Sequence, residues 1–282
     1  MFTTRILTDM QSLLSIVIVN YNYGRFLDTA IRSVLDQKPE GVELVIVDGG
    51  STDNSVGVIK KYADQLGWWV SESDRGQSDA FNKGFSHCRG KYLTWLNADD
   101  IMLQGAIAAI LRQLKKHPDC EWFTGNLFRF TEDGKVLECA WGPNCLPKWL
   151  QSKGQPVAVY GPATVFTKEL FDRMGGMKVG QNFMMDTDLW MRFIVAGVKQ
   201  RRINHFLWAF RMHHDSKTAE FGDHKLSPEL RAKFEAERKR SIEETGYRES
   251  RLNHRLIQLW RVFDGSFIKG LMLKKVFKTY DV

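Results

Sequence analysis

The chain has 282 residues, 43% of them hydrophobic, and 40 Lys and Arg against 33 Asp and Glu give a formal charge of +7. That length can bury a substantial core in one large domain plus an appendage, while no stretch approaches the roughly 20 apolar residues of a membrane-spanning helix. Met1 to Asp9 lacks a secretory signal's apolar core, and Cys88, Cys120, Cys139 and Cys145 show neither CxxC pairing nor metal-ligand spacing, so a reduced, cytoplasmic protein is expected.

In chain order, Leu14 to Asn20 reads as a buried strand, followed by the loop Tyr21-Asn22-Tyr23-Gly24. A helix over Arg25 to Asp36 places Phe26, Leu27, Ala30, Ile31 and Val34 on one face. A second strand, Val42 to Val47, runs into Asp48-Gly49-Gly50-Ser51-Thr52-Asp53, and the next helix carries Val56, Ile59 and Tyr62 on one face. Strand and helix alternating in short order predict an α/β fold with a mostly parallel sheet and right-handed crossovers. Asp53 is open to two readings, helix cap or ligand; Asp48, at a strand end, points to ligand binding.

Trp68 to Glu72 is a short strand, Ser73 to Gln77 a turn, and a helix follows over Ser78 to His87. Lys91 to Leu96 is an apolar strand that delivers Asn97-Ala98-Asp99-Asp100 at its C-terminal end. One Asp suffices to cap the helix over Leu103 to Lys116, so the second carboxylate is unexplained by capping. A carboxylate pair at a strand end suits Mg or Mn bridging to a phosphorylated ligand.

Residues Glu121 to Thr131 and the stretch from the turn Glu132–Lys135 through Trp141 read as a hairpin. Trp141, Trp149 and Tyr160 are candidates to stack on the apolar face of a ligand ring, against core packing as the alternative. A short helix over Lys168 to Met174 ends at Gly175-Gly176, and Asp186-Thr187-Asp188-Leu189-Trp190 opens another helix. The core closes on Arg211-Met212-His213-His214-Asp215-Ser216-Lys217-Thr218.

Taken together, Ser15 to Asn22, Val47 to Asp53, Asn82-Lys83-Gly84, Asn97 to Asp100 and Asp186 to Trp190 resemble the nucleotide-sugar-dependent glycosyltransferases of family 2, over most of the first 220 residues. The resemblance implies a GT-A fold, Rossmann-like with helices flanking the sheet. It implies donor binding by Val19, Asn20, Tyr21, Asp48, Ser51, Asp53, Arg75, Asp79, Asn82, Asp99 and Lys217. Asp100, Asp99 and His213 are implied to hold Mn²⁺ or Mg²⁺, Ser216 and Thr218 to join Lys217 at the diphosphate, and Asp186 to deprotonate the acceptor. Asp188 would orient the acceptor or neighbouring side chains. One departure is Gly49, where many relatives carry a second Asp that contacts the base; base recognition then falls to Asp48 or Asp53.

Residues 225–282 differ in character from the catalytic domain assigned to 1–224. They carry 14 Lys and Arg against 8 Asp and Glu, with apolar residues at helical spacing from Leu252 to Phe277. A basic amphipathic helical extension of this kind suits an anionic membrane surface, with packing on the catalytic domain or a second subunit as the alternative. No nucleic-acid-binding motif accompanies the charge.

The expected activity is inverting transfer of a sugar from a nucleoside-diphosphate sugar, with UDP-sugar favoured, to a hydroxyl of a saccharide or lipid-linked acceptor in bacterial surface polysaccharide synthesis. The expected location is the cytoplasm, peripheral at the inner face of the membrane. Two alternatives are a sugar-1-phosphate nucleotidyltransferase, against which stands the absence of a Gly-rich basic loop after the first strand, and a non-catalytic protein of the same fold.

Overall fold

The computed structural model describes residues 12–142, 161–181, 183–216, 227–248 and 251–280. The first half alternates β1 (Leu14–Asn20), α1 (Gly24–Leu35), β2 (Val42–Asp48), α2 (Ser55–Lys61), β3 (Trp68–Ser71), α3 (Gln77–His87) and β4 (Tyr92–Asn97). After β5 (Ile101–Met102) and α4 (Ala106–Lys116) come the hairpin β6 (Trp122–Thr131) and β7 (Val136–Ala140), then β8 (Thr164–Thr167) and α5 (Lys168–Arg173). The remainder is α6 (Met185–Val195), β9 (Gln200–Met212), α7 (Pro228–Thr245), α8 (Arg251–Phe263) and α9 (Ser266–Val276).

The strands form one sheet in the order β3-β2-β1-β4-β8-β6-β9-β5, with β7 paired to β6. Strands β1 to β4 are mutually parallel, the crossover pattern expected of strand–helix alternation. Beyond β4 the sheet is mixed, because β8 runs antiparallel to both β4 and β6. Every position of β1 and β2 is buried, which explains their unbroken apolar runs: helices cover both faces. The register sets Asn20 beside Asp48 and Val19 beside Asn97, so the polar residues ending three strands share one edge. In such sheets that carboxyl edge is where ligands bind.

Two apolar layers fill the faces. On one side α1 and α4 bury Leu27, Ile31, Ile107 and Ile110 against Ile16, Ile18 and Leu44. On the other, α3 and α6 bury Phe81, Phe85, Leu189 and Phe193 against Val17, Val45 and Trp95. At the centre of this second layer the indole of Trp190 lies between two others. Its ring is stacked 5.6 Å from Trp95 and 5.8 Å from Trp122, at interplanar angles of 11° and 16°. Helix α6 is thereby clamped onto β4 and β6 at once.

The C-terminal helices pack on this body. Helix α7 lies along α6, with Phe234, Ile242 and Tyr247 meeting Met184 and Met191. Helix α9 approaches β7 closely: a side chain on Gly270 would come within 2.8 Å of the Cys139 carbonyl. Contacts therefore cross the boundary expected near residue 225. No helix among the described residues is long and apolar enough to cross a membrane.

Replacing Trp190 with Ala empties a site 3% exposed, and emptying a buried Trp site costs about 3–5 kcal/mol. A fall of that size is expected in the unfolding free energy from urea titration followed by circular dichroism.

Candidate active site

At the carboxyl edge of β2, Asp48 is fully buried and accepts four hydrogen bonds. Asn20 Nδ2 at 2.6 Å and Ser51 Oγ at 2.5 Å donate to Oδ1, and Ser51 N at 2.9 Å and Ser71 Oγ at 2.6 Å donate to Oδ2. Burial alone would raise its pKa, but these donors outweigh it and hold the carboxyl below its ordinary value. Asp53 is also committed, accepting from Gly24 N at 2.9 Å and from Ser55 N at 3.0 Å. It caps two helices, α1 from across the loop and α2 locally.

A different carboxylate keeps a free edge there. Asp74 Oδ1 accepts from Gly76 N at 2.8 Å, while Oδ2 lies over Gly49. A Cβ on Gly49 would meet that oxygen at 2.6 Å and the Tyr21 ring at 3.4 Å. Tyr21 is 62% exposed. An exposed aromatic ring and an acceptor oxygen thus meet over a bare glycine, and residue 49 cannot carry a side chain without shifting Asp74.

At the end of β4 the two acids face different ways. Asp100 is buried, accepting from Arg211 N at 3.0 Å on Oδ1 and from Asn97 Nδ2 at 2.8 Å on Oδ2. Burial, then the neighbouring Asp99 charge, pushes its carboxyl well above the ordinary range. Asp99 Oδ2 stands 3.0 Å from His213 Nε2, whose ring packs on Phe26 and Tyr23 with centroids at 4.8 and 5.4 Å. Arg211 Nε donates to the Asp99 carbonyl at 2.9 Å, and its guanidinium lies 5.0 Å from the Phe26 ring and 4.8 Å from the Phe130 ring.

No three His, Cys, Asp or Glu side chains converge on one point among the described residues. Magnesium commonly takes only one or two protein carboxylates and completes its shell with substrate phosphates and water. An oxygen and an imidazole nitrogen presented together by Asp99 and His213 fit such a partial set, and manganese accepts the same donors.

Across the edge, α6 presents Asp186. Its Oδ1 accepts from Thr187 N at 2.6 Å and Thr187 Oγ1 at 3.2 Å. Its Oδ2 borders the space a Gly161 side chain would fill, 3.3 Å from that Cβ position, with Trp95 and Trp208 as the other walls. Burial raises the Asp186 pKa against the lowering effect of the Thr187 bonds. The helix cap is Met184, without a side-chain cap bond. Capping comes instead from α7, where Glu237 Oε2 accepts from Phe183 N at 2.8 Å and Met184 N at 3.3 Å.

A family model, glycosyl transferase family 2, matches residues 15–174, more than half of the chain. The chain is a family 2 glycosyltransferase. The glycosyltransferase is 44% identical over 91 residues to an uncharacterised glycosyltransferase of Nostoc sp., covering 31% of this chain and 28% of that one. It is 30% identical over 126 residues to the glycosyltransferase GlyG of Streptococcus pneumoniae, covering 44% and 42%. In both cases the match spans less than half of the relative's length.

Solved structures similar in fold include residues 1–349 of TarS from S. aureus in complex with UDP-GlcNAc, with a TM-score of 0.56, 12% identity, and coverage of 73% of this chain and 60% of that one. A mannosyltransferase from Pyrobaculum calidifontis in complex with GDP-Man and Mn²⁺ gives a TM-score of 0.55 at 16% identity, covering 93% and 86%. The GT-A fold expected from the motifs is the fold of the glycosyltransferase.

Of the residues singled out by sequence, the fold gathers Asn20, Tyr21, Asp48, Ser51 and Asp53 around the first loop, Asp99, Asp100 and His213 at the end of β4, and Asp186 at the start of α6. The Asn82 amide donates to the Met177 carbonyl at 2.7 Å and accepts from Met177 N at 2.8 Å. Asp188 is fully buried and binds Arg192 Nε at 2.8 Å and Lys178 Nζ at 3.1 Å, so it orients neighbours within the helix layer. Arg75 and Asp79 pair with each other at 2.9 Å. Trp141 is buried beneath Lys269, whose Nζ is 3.9 Å from the ring centroid. Lys217, Thr218, Trp149 and Tyr160 lie outside the described residues. Gly161 and Glu237 escaped the sequence reading, because their roles are defined by contacts distant in the chain.

Opposite pKa shifts imply opposite stability effects. The depressed Asp48 contributes stability above its unfolded pKa, and this is lost as pH falls through the folded value. The raised Asp186 acts in reverse: its contribution is complete below the unfolded pKa and is lost as pH rises through the folded one. At pH 7, Asp48→Asn is expected to lower the urea midpoint and Asp186→Asn to leave it unchanged or raise it. In acid, below the ordinary carboxylate range, the Asp186→Asn difference should vanish.

Proposed function

We propose that this glycosyltransferase moves a sugar from a nucleoside-diphosphate sugar, a UDP-sugar first among the classes, to an acceptor hydroxyl with inversion at C1. The acceptor is a saccharide or a lipid-linked saccharide of a bacterial surface polysaccharide. The observation that carries this reading is the Asp186 carboxylate: raised in pKa by burial, with its hydrogen bonds from Thr187 falling on Oδ1 and its Oδ2 set beside Gly161. A carboxylate raised above its ordinary value is a stronger base toward an acceptor hydroxyl than a solvated one. The donor complexes of TarS and of the mannosyltransferase support the donor class.

In the proposed reaction the acceptor oxygen attacks C1 from the face opposite the diphosphate. The new C–O bond forms as the bond to the diphosphate oxygen breaks, and Asp186 Oδ2 receives the acceptor proton. A divalent cation held by Asp99 and His213 would neutralise charge on the departing diphosphate. Arg211 and Asn97 fix the paired acids. The Trp95–Trp190–Trp122 stack fixes α6, which keeps the base in register with the β4 edge.

The nucleotide base is assigned to the slot of Tyr21, Gly49 and Asp74, where the ring stacks on Tyr21 and the free Asp74 oxygen accepts a base N–H. Asp74 thus takes the place expected of Asp48 or Asp53, whose oxygens are engaged by protein donors.

Asp186→Asn is expected to keep donor affinity while lowering turnover by roughly 10²–10⁴-fold in a coupled UDP-release assay. Wild-type turnover in that variant would place the base elsewhere. For the slot, Asp74→Asn turns one acceptor oxygen into a donor. Nucleotide affinity, measured by calorimetry across UDP, GDP and CDP, should fall about tenfold for the favoured nucleotide, the scale of one lost hydrogen bond to a charged group. An unchanged ranking and affinity would remove Asp74 from base recognition.

A further inference from the structure

The exposed apolar surface of this protein is concentrated in one place. Of the twelve large hydrophobic side chains exposed among the described residues, nine lie between Leu259 and Phe277 on α8 and α9, with Phe263 82% and Val276 75% exposed. Scattered exposed hydrophobics are ordinary, but a contiguous set of this size marks an interaction surface. The helices are not loose. Gly270 and Ser266 are buried, and Leu273 joins the Phe128–Phe130 cluster. Arg261 Nη2 donates to the Trp141 carbonyl at 3.2 Å, and Val136 N donates to the Lys278 carbonyl at 2.9 Å. The inner face is anchored on β7, and the outer face presents Phe267, Ile268, Leu271 and Met272 to solvent. Between the helices runs an apolar groove lined by Leu259, Val262 and Phe267 with Arg255 and Gln258.

Charge selects the occupant. Residues 251–280 hold seven Lys and Arg against one acid, Asp264, and Lys269, Lys274, Lys275 and Lys278 are exposed among the apolar residues. A second copy packed symmetrically on this face would set that positive charge against itself. An anionic lipid surface meets both demands, since its headgroups neutralise the lysines and its interface takes up Phe and Leu. With 13 and 11 residues, neither helix reaches the roughly 20 needed to span a bilayer, so both would lie in the interface plane.

We propose that the outer face of α8 and α9 is a docking surface for the anionic headgroup layer of a membrane. It holds the enzyme at the bilayer by apolar insertion of Phe263, Phe267 and Met272 and by the exposed lysines. This surface is separate from the donor site, and its binding is independent of the transfer reaction.

The test is flotation of the full chain with vesicles of mixed phosphatidylglycerol and phosphatidylcholine, and with phosphatidylcholine alone. Binding is expected to the mixed vesicles, to weaken as salt rises, and to be much weaker on phosphatidylcholine. The double variant Lys274→Glu/Lys275→Glu should lose at least roughly 25-fold in partitioning, from about fivefold per cation near the surface. Phe263→Ser/Met272→Ser should lose about tenfold or more at low salt. Both variants are required to keep the wild-type circular dichroism and UDP affinity. If one fails to fold, the salt and lipid dependence of the wild-type chain decides. Wild-type protein that stays unbound with phosphatidylglycerol present overturns the proposal. So does a wild-type dimer that Phe263→Ser/Met272→Ser converts to monomer, which would assign the face to a second copy.

Discussion

The stacking of Trp190 between Trp95 and Trp122 is the contact on which the site depends. Trp95 belongs to the strand that ends in the acid pair, Trp122 to the strand that opens the hairpin, and Trp190 to the helix that carries Asp186. Offset-stacked indoles gain roughly 0.5–1.5 kcal/mol per pair beyond area burial. Their steeper benefit is geometric, since a ring held on both faces cannot slide without opening a void on one side. The distance between the acid pair and Asp186 is therefore set by the core. Trp95 serves twice, because its edge also walls the gap beside Gly161 that Asp186 faces.

The nucleotide side follows a different logic, in which polar saturation replaces packing. Asp48 commits all its acceptor capacity to Asn20, Ser51 and Ser71 and so ties together the ends of β1, β2 and β3. Asp53 does the same for the starts of α1 and α2. Both carboxylates, expected at the donor from the motif, hold this loop in shape through protein donors. The free acceptor is Asp74, on the next loop, and the glycine that departs from the family pattern makes room for it.

Much of this was legible in the sequence for one physical reason: buried parallel strands must be continuously apolar, and their carboxyl ends then stand out as polar punctuation. Strands β1, β2 and β4, the Asn97–Asp100 end and the Asp186 helix were all readable on that ground, and the hairpin from Glu121 to Trp141 was readable from alternation and its turn. What stayed hidden depends on separation along the chain. Asn82 sits in a motif suggesting ligand contact, yet it clamps Met177, 95 residues away. Asp188 shares a motif with Asp186, yet two residues along the helix it enters a buried ion pair with Arg192. Asp100 and Asp99 are neighbours in sequence, but a turn divides them, one toward Arg211 and one toward His213. Periodicity carries no information on such pairings.

Glu237 has a consequence for how the enzyme comes into being. Its carboxylate closes the open end of α6 from 54 residues downstream. A chain emerging from the ribosome at about 5–20 residues per second exposes the helix bearing Asp186 several seconds before the residue that caps it. Over that interval the Phe183 and Met184 N–H groups, which lead into the helix, lack that acceptor. The acceptor for the turn leading into this helix thus arrives only with the C-terminal helices. Synthesis itself orders the events: strands β1 to β4 emerge first, and the turn that leads into the Asp186 helix is secured last.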